Sequence, residues 1–225
     1  RDIFKETYIK DILERNDVRN PVEMEELLDY LSSAIGGLTN PKKLADTFKT
    51  AKNVSIHPDT IKTYLDYFED SFLISRANRY DVKGKKYIST PMKFYFTDCG
   101  LRNVRINFRQ YEETHIMENI IYNELLIRGY NVDVGMVEFN YCNEDKKKVQ
   151  KQLEVDFVCN QGSKRLYIQS ALALPTKEKE EQEQLPLQSI GDSFKKIIIV
   201  KDGPTHYNES GILILNLFDF LLKEN

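Results

Sequence analysis

The sequence predicts a mixed α/β protein in two parts. Three observations carry this. Three segments of helical apolar spacing are followed by an alternating hairpin. A later stretch runs helix, three strands, helix, strand, and a closing strand that turns into a helix. The charge balance also changes sign near residue 110. Residues 1–110 hold 19 Lys+Arg against 16 Asp+Glu, and residues 111–225 hold 13 against 19. The expected division is 1–110 and 111–225.

In the first part, "NPVEMEELLDYLSSAIG" places Val22, Leu27, Leu28, Leu31 and Ile35 at helical spacing. Asn20-Pro21 is a start signal and Gly36-Gly37 a stop. "TNPKKLADTFKTA" repeats the pattern, with Asn40 as cap, Pro41 in the first turn, and Leu44, Ala45 and Phe48 inward. "HPDTIKTYLDYFEDSFLI" gives a third helix, with Ile61, Tyr64, Leu65 and Phe68 on one face. "LISRANRYDVKGKKYIST" and "KFYFTD" alternate like strands, and Val82-Lys83-Gly84-Lys85 reads as a turn. Three helices and then a hairpin is the order of a winged helix-turn-helix.

A winged helix docks its third helix in a DNA major groove. Here that helix would expose Asp59, Thr60, Lys62, Thr63, Asp66 and Tyr67. One Lys against two Asp is a poor surface for phosphate, which dominates affinity. The hairpin is richer in cations, so the nucleic-acid candidates are Arg76, Arg79, Lys83, Lys85 and Lys86, with Lys62. The competing reading is a protein-interaction module or spacer.

In the second part, "ETHIMENIIYNELLIRGYNVDVG" is a helix leading into a strand. A helical wheel groups Ile116, Ile120, Glu124, Met117, Ile121 and Leu125 on one arc, with Glu124 central and Glu118 at its edge. An acid on an inward arc is costly unless it faces a site or pairs with a nearby Arg. "NVDVGMVEFNYC" is a strand, "NEDKKKVQKQ" a polar excursion, and "KKIIIVKDG" a buried strand. The stretch around "EEQEQLPLQSIGDS" reads as a helix interrupted near Pro186. Exposed cleavage sites are expected in residues 143–151 and 177–184.

"EVDFVCNQGSKRLYIQSALAL" reads as two apolar strands around a Gly-Ser-Lys-Arg turn. Many metal-dependent nucleases carry Asp on one such strand and Glu-x-Lys on the next. Here the strands offer Glu154 and Asp156, then Gln169-Ser170-Ala171.

Composition excludes several classes. No apolar run reaches the ~18 residues needed to span a bilayer. Cys99, Cys142 and Cys159 are scattered, as are His57, His115 and His206, so a His/Cys metal site is not expected. Cysteine usage suits a reducing, cytoplasmic compartment. No G-x-x-x-x-G-K-[ST] is present, so no ATP site of that type is expected.

"KFYFTDCGLRN", "MENIIYNELLIRGYNVDVG", "EVDFV", "LYIQSALAL" and "KKIIIVKDG", with "TYIKDILERNDVRN" and the third-helix segment, resemble one family. It is the C-terminal region of predicted AAA-type P-loop ATPases, annotated with DUF4143. The resemblance spans essentially the whole chain. It implies an upstream ATP- and Mg²⁺-binding module, with no cofactor in this chain.

The family's last domain is similar to restriction-endonuclease-like, PD-(D/E)xK, folds. There a helix acid, a strand Asp and the Glu of Glu-x-Lys hold Mg²⁺, and carboxylates suit that hard cation. Carried over, these fall on Glu118 or Glu124, on Asp156 with Glu154 nearby, and on Gln169; a metal set would be Glu124, Asp156 and Gln169. Gln169 removes a charge and Ala171 removes the lysine. The expectation is a retained fold with a degenerate site, binding DNA or a partner protein without Mg²⁺. The alternatives are an active Mg²⁺-dependent endonuclease or a pure protein-interaction region.

Overall fold

The structure is a computed structural model that describes residues 8–109, 111–142 and 147–223. It is a mixed α/β protein. Two compact units divide the chain between Ala77 and Asn78, between Ser89 and Thr90, and between Asn119 and Ile120. This differs from a single boundary at 110. The hairpin tip belongs to the second unit, because its backbone pairs there.

The first unit carries helices α1 (Lys10–Arg15), α2 (Pro21–Ser33), α3 (Pro41–Lys52) and α4 (Pro58–Asp70). Strands β1 (Ile74–Asp81) and β2 (Lys86–Phe96) follow, then α5 (Cys99–Arg105). Pro41 and Pro58 open their helices, and Asn40 accepts from the Lys43 amide at 2.8 Å. Leu27, Leu28, Leu31, Leu44, Phe48, Ile61, Leu65 and Phe68 fill one core. Val22, expected inward, is 69% exposed. An isolated antiparallel bridge joins Thr39, between α2 and α3, to Met92 on β2. α1 buries Ile12, and Asp98 caps α5 through the Gly100 amide at 2.6 Å.

α6 (Glu113–Ile127) begins in the first unit and ends in the second. The second unit continues with β3 (Asn131–Cys142), β4 (Lys148–Gln161), β5 (Lys164–Ala171), α7 (Lys177–Gln188), β6 (Lys195–Val200), β7 (His206–Tyr207), β8 (Leu213–Asn216) and α8 (Leu217–Leu222). The sheet has eight strands in the order β2-β1-β3-β4-β5-β6-β8-β7. β1 runs parallel to β3 through Arg79↔Val134, Tyr80↔Gly135 and Asp81↔Met136. β3, β4 and β5 form an antiparallel meander, and β6 lies parallel to β5 and β8.

Two local expectations change. Residues 148–152 are strand rather than excursion, and residues 143–146 lie outside the described residues. α7 covers 177–188 without a break, because Pro186 falls in its last turn. Neither paired strand nor helix suits a protease, so cleavage at 148–151 or 177–184 is not expected.

β4 carries an extra residue opposite Asp133–Gly135. The bulge lets Val155 and Val158, three apart, enter the same core with Val137, Tyr167 and Ile198. A Cβ on Gly135 would lie 2.8 Å from the side chains of both Val155 and Val158. Gly135→Ala is therefore expected to destabilise the protein by about 1–2 kcal/mol by overpacking, read by urea denaturation.

Candidate functional site

The β4–β5 pairing runs from Gln161↔Lys164 to Phe157↔Ile168. At the next rung, side chains take over from the main-chain ladder. The Asp156 amide donates to Gln169 Oε1 at 3.3 Å, and the Ser170 amide donates to Asp156 Oδ2 at 2.8 Å. Asp156 and Gln169 are 8% and 9% exposed. The Ser170 hydroxyl is buried without a hydrogen-bond partner among the described residues.

The neighbouring candidates have other roles. Glu154 is half-buried, opposite Met136 of β3. Ala171, where the lysine of Glu-x-Lys would stand, is buried in the apolar cluster with Tyr167, Leu187 and Val200. Among the described residues no three His, Cys, Asp or Glu side chains are grouped to hold a metal ion.

The helix acids exchange the places expected of them. Glu118, placed at the edge of the inward arc, is buried. Its Oε1 accepts from Lys93 Nζ at 2.9 Å and from the Tyr95 hydroxyl at 2.6 Å. It lies in the first unit, whereas Asp156 lies in the second. Glu124, placed at the arc's centre, is half-buried and pairs with Arg128 Nε at 2.8 Å. Arg128 lies over the Phe220 ring at 4.6 Å. Glu124 and Arg128 line a cleft of about 710 Å³ whose floor includes Leu166, Ile168, Ile197 and Leu215.

The expected wing cations are not one free cluster. Arg76 pairs with Asp66 at 2.8 Å and with Glu69, and stands over Phe94. Burial raises Glu69's pKa from its ordinary value, and Arg76 opposes that shift. Arg79 donates to Gln152 at 3.5 Å, and Lys83 to the Glu138 carbonyl at 2.6 Å. Lys62, Lys85 and Lys86 are exposed.

Burial pushes the Cys159 thiol's pKa up, with Asp133 adding to it. Burial also raises Asp133, against the Tyr87 hydroxyl bond at 3.1 Å. The Tyr167 hydroxyl is pushed up to about 12, first by burial and then by donating to Asp192 at 2.6 Å.

The sequence reading missed the Lys93–Glu118 pair, although a lysine inside the apolar run "MKFYF" signals a buried partner. It also missed the stacked Phe139 and Tyr141 rings, 5.9 Å apart at 20°. Their alternate positions on one strand were the available signal.

The fold and these groups define a mixed α/β protein with an acid–amide rung at a strand divergence. No helix among the described residues is long and apolar enough to cross a membrane. Residues 1–112 match the family described as "Domain of unknown function (DUF8612)". The chain is 32% identical over 221 residues to an uncharacterized protein of Haemophilus influenzae, covering 98% of this chain and 51% of that one. It is 31% identical over 187 residues to the uncharacterized protein MJ1544 of Methanocaldococcus jannaschii, covering 81% and 39%. The chain thus spans about half or less of these curated relatives. Among solved structures, protein VC1899 from Vibrio cholerae aligns at 9% identity with a TM-score of 0.31, covering 98% of this chain and 53% of that one, too distant to carry an argument.

These findings correct the family expectation. The matching family is DUF8612, and neither it nor the relatives support an AAA-type ATPase with a DUF4143 module. The segments behind that resemblance include ordinary folding signals. "TDCGL", for example, follows the end of β2 and carries the Asp98 cap and first turn of α5.

Proposed function

We propose that this chain is a non-hydrolytic binding region for nucleic acid, with a winged-helix first unit and a restriction-endonuclease-like second unit. The Thr39–Met92 bridge supports the first part. It pairs a single residue between α2 and α3 with β2 of the β1–β2 hairpin, where winged helices place a short strand. The order α6-β3-β4-β5-α7-β6 supports the second, with its antiparallel meander followed by a parallel fourth strand.

The observation that carries the non-hydrolytic reading is the acid–amide rung. Asp156 and Gln169 both point oxygens at backbone N–H donors. A hard cation needs those lone pairs, and it needs carboxylate charge that Gln169 lacks. Ala171 leaves no cationic activator, and each lost transition-state contact costs about 10²–10³ in rate. α4 is not assigned to a duplex groove, because Arg76 already pairs with Asp66 beside the helix's exposed face.

The test is incubation with single- and double-stranded DNA in Mg²⁺ or Mn²⁺. No cleavage above background is expected. Cleavage by the wild type that disappears in Asp156→Ala would overturn the reading and establish an active endonuclease. Gln169→Glu with Ala171→Lys is expected to unfold the second unit rather than restore metal binding, since Ala171 is 3% exposed in an apolar core.

A further inference from the structure

The β3–β4 hairpin is longer than the sheet that holds it. β1 pairs with β3 only at Val134–Met136, and β5 pairs with β4 only from Phe157 onward. The rungs from Val137↔Leu153 to Cys142↔Lys148 therefore pair only with each other, as a two-stranded ribbon. One face of the ribbon is polar, with Glu138, Asn140, Lys148, Gln150 and Gln152. The other holds Phe139 and Tyr141, with Lys151 directly across from Phe139. The two rings stand nearly parallel, and Tyr141 is 42% exposed. Lys148 and Lys151 are exposed and have no ion pair among the described residues. Arg79 and Lys83 flank the base at Gln152 and Glu138.

We propose that this ribbon is a binding platform for single-stranded nucleic acid; the inference rests on the binding reading above and names its substrate class. Aromatic rings that present a face to solvent accept any unpaired base, because every base has a π-face. The Lys151 ammonium, on the same face as the rings, supplies a phosphate contact. A duplex keeps its bases stacked inside and offers nothing to the rings. The Lys151 charge beside the aromatic pair, with no acid on that face of the ribbon, favours a polyanionic strand over an apolar protein face. Single-stranded DNA and RNA share this chemistry.

The test is fluorescence anisotropy of the 225-residue chain with labelled oligothymidylate, oligouridylate, an abasic strand and a duplex, each of about 20 nucleotides, longer than one typical site. At low salt, both single strands are expected to bind more tightly than the abasic strand and the duplex. Tyr141→Ala weakens binding roughly 5- to 100-fold, and Tyr141→Phe preserves it. Lys151→Ala flattens the log–log salt slope by roughly 0.7, the value of one lost single-strand contact. Preference between thymidylate and uridylate identifies the source of the strand. Equal binding of the abasic strand, tighter binding of the duplex, no binding at low salt, or indifference to Tyr141→Ala would each overturn the platform. Absence of all binding would overturn the binding reading as well, whereas the other three outcomes overturn the platform and leave that reading standing.

Discussion

Replacing Glu118 with Ala is expected to lower the unfolding free energy by about 3–5 kcal/mol. The Lys93 ammonium lies 2.9 Å from its carboxylate, and both side chains are nearly buried, at 5% and 9% exposure. Removing one partner of a buried pair leaves the other charge desolvated without its counterion. The same truncation takes the acceptor from the Tyr95 hydroxyl. A pair replaced as a unit behaves differently, because the desolvation penalty disappears with the charges. Lys93→Met with Glu118→Leu is therefore expected to recover most of the loss. Urea denaturation of the two single variants and the double variant gives the coupling directly. Additive losses would mean that the pair is not the source of the effect. If Glu118 were a metal ligand instead, Mg²⁺ would stabilise the wild type and not Glu118→Ala.

Helices α2, α3 and α4 were legible because each combines a Pro start with an apolar stripe. Tertiary contact overrode the local pattern elsewhere. On α6, Ile116 and Ile120 made the arc look centred on Glu124, yet both are only half-buried. Partners far along the chain turned the helix: Lys93 and Tyr95 for Glu118, and both main-chain groups of Phe96 for Asn119. α1 was missed because its segment is charged, with one fully buried apolar residue, Ile12. Arg79, Lys83, Lys85 and Lys86 looked like one patch because they are close in sequence. Parallel pairing of β1 with β3 directs the first two toward the ribbon instead.

The hairpin candidates were legible as neighbours, but register decided their role. Asp156 and Gln169 fall one rung past the last main-chain pair, where a carboxylate and an amide can replace ladder groups. Asp156→Ala is accordingly expected to destabilise the second unit by about 2–3 kcal/mol. It deletes a charge-assisted bond and leaves the Ser170 amide without its 2.8 Å acceptor. Asp156→Asn keeps an oxygen in reach of that amide and is expected to lose about 1 kcal/mol or less. A metal-ligand role gives the opposite signature: alanine at a carboxylate cluster relieves repulsion, so the metal-free protein becomes more stable. Thermal unfolding in EDTA separates the two. A higher melting temperature for Asp156→Ala than for the wild type would sink the structural assignment. A drop of several degrees, larger for Ala than for Asn and unchanged by adding Mg²⁺, is the expected result.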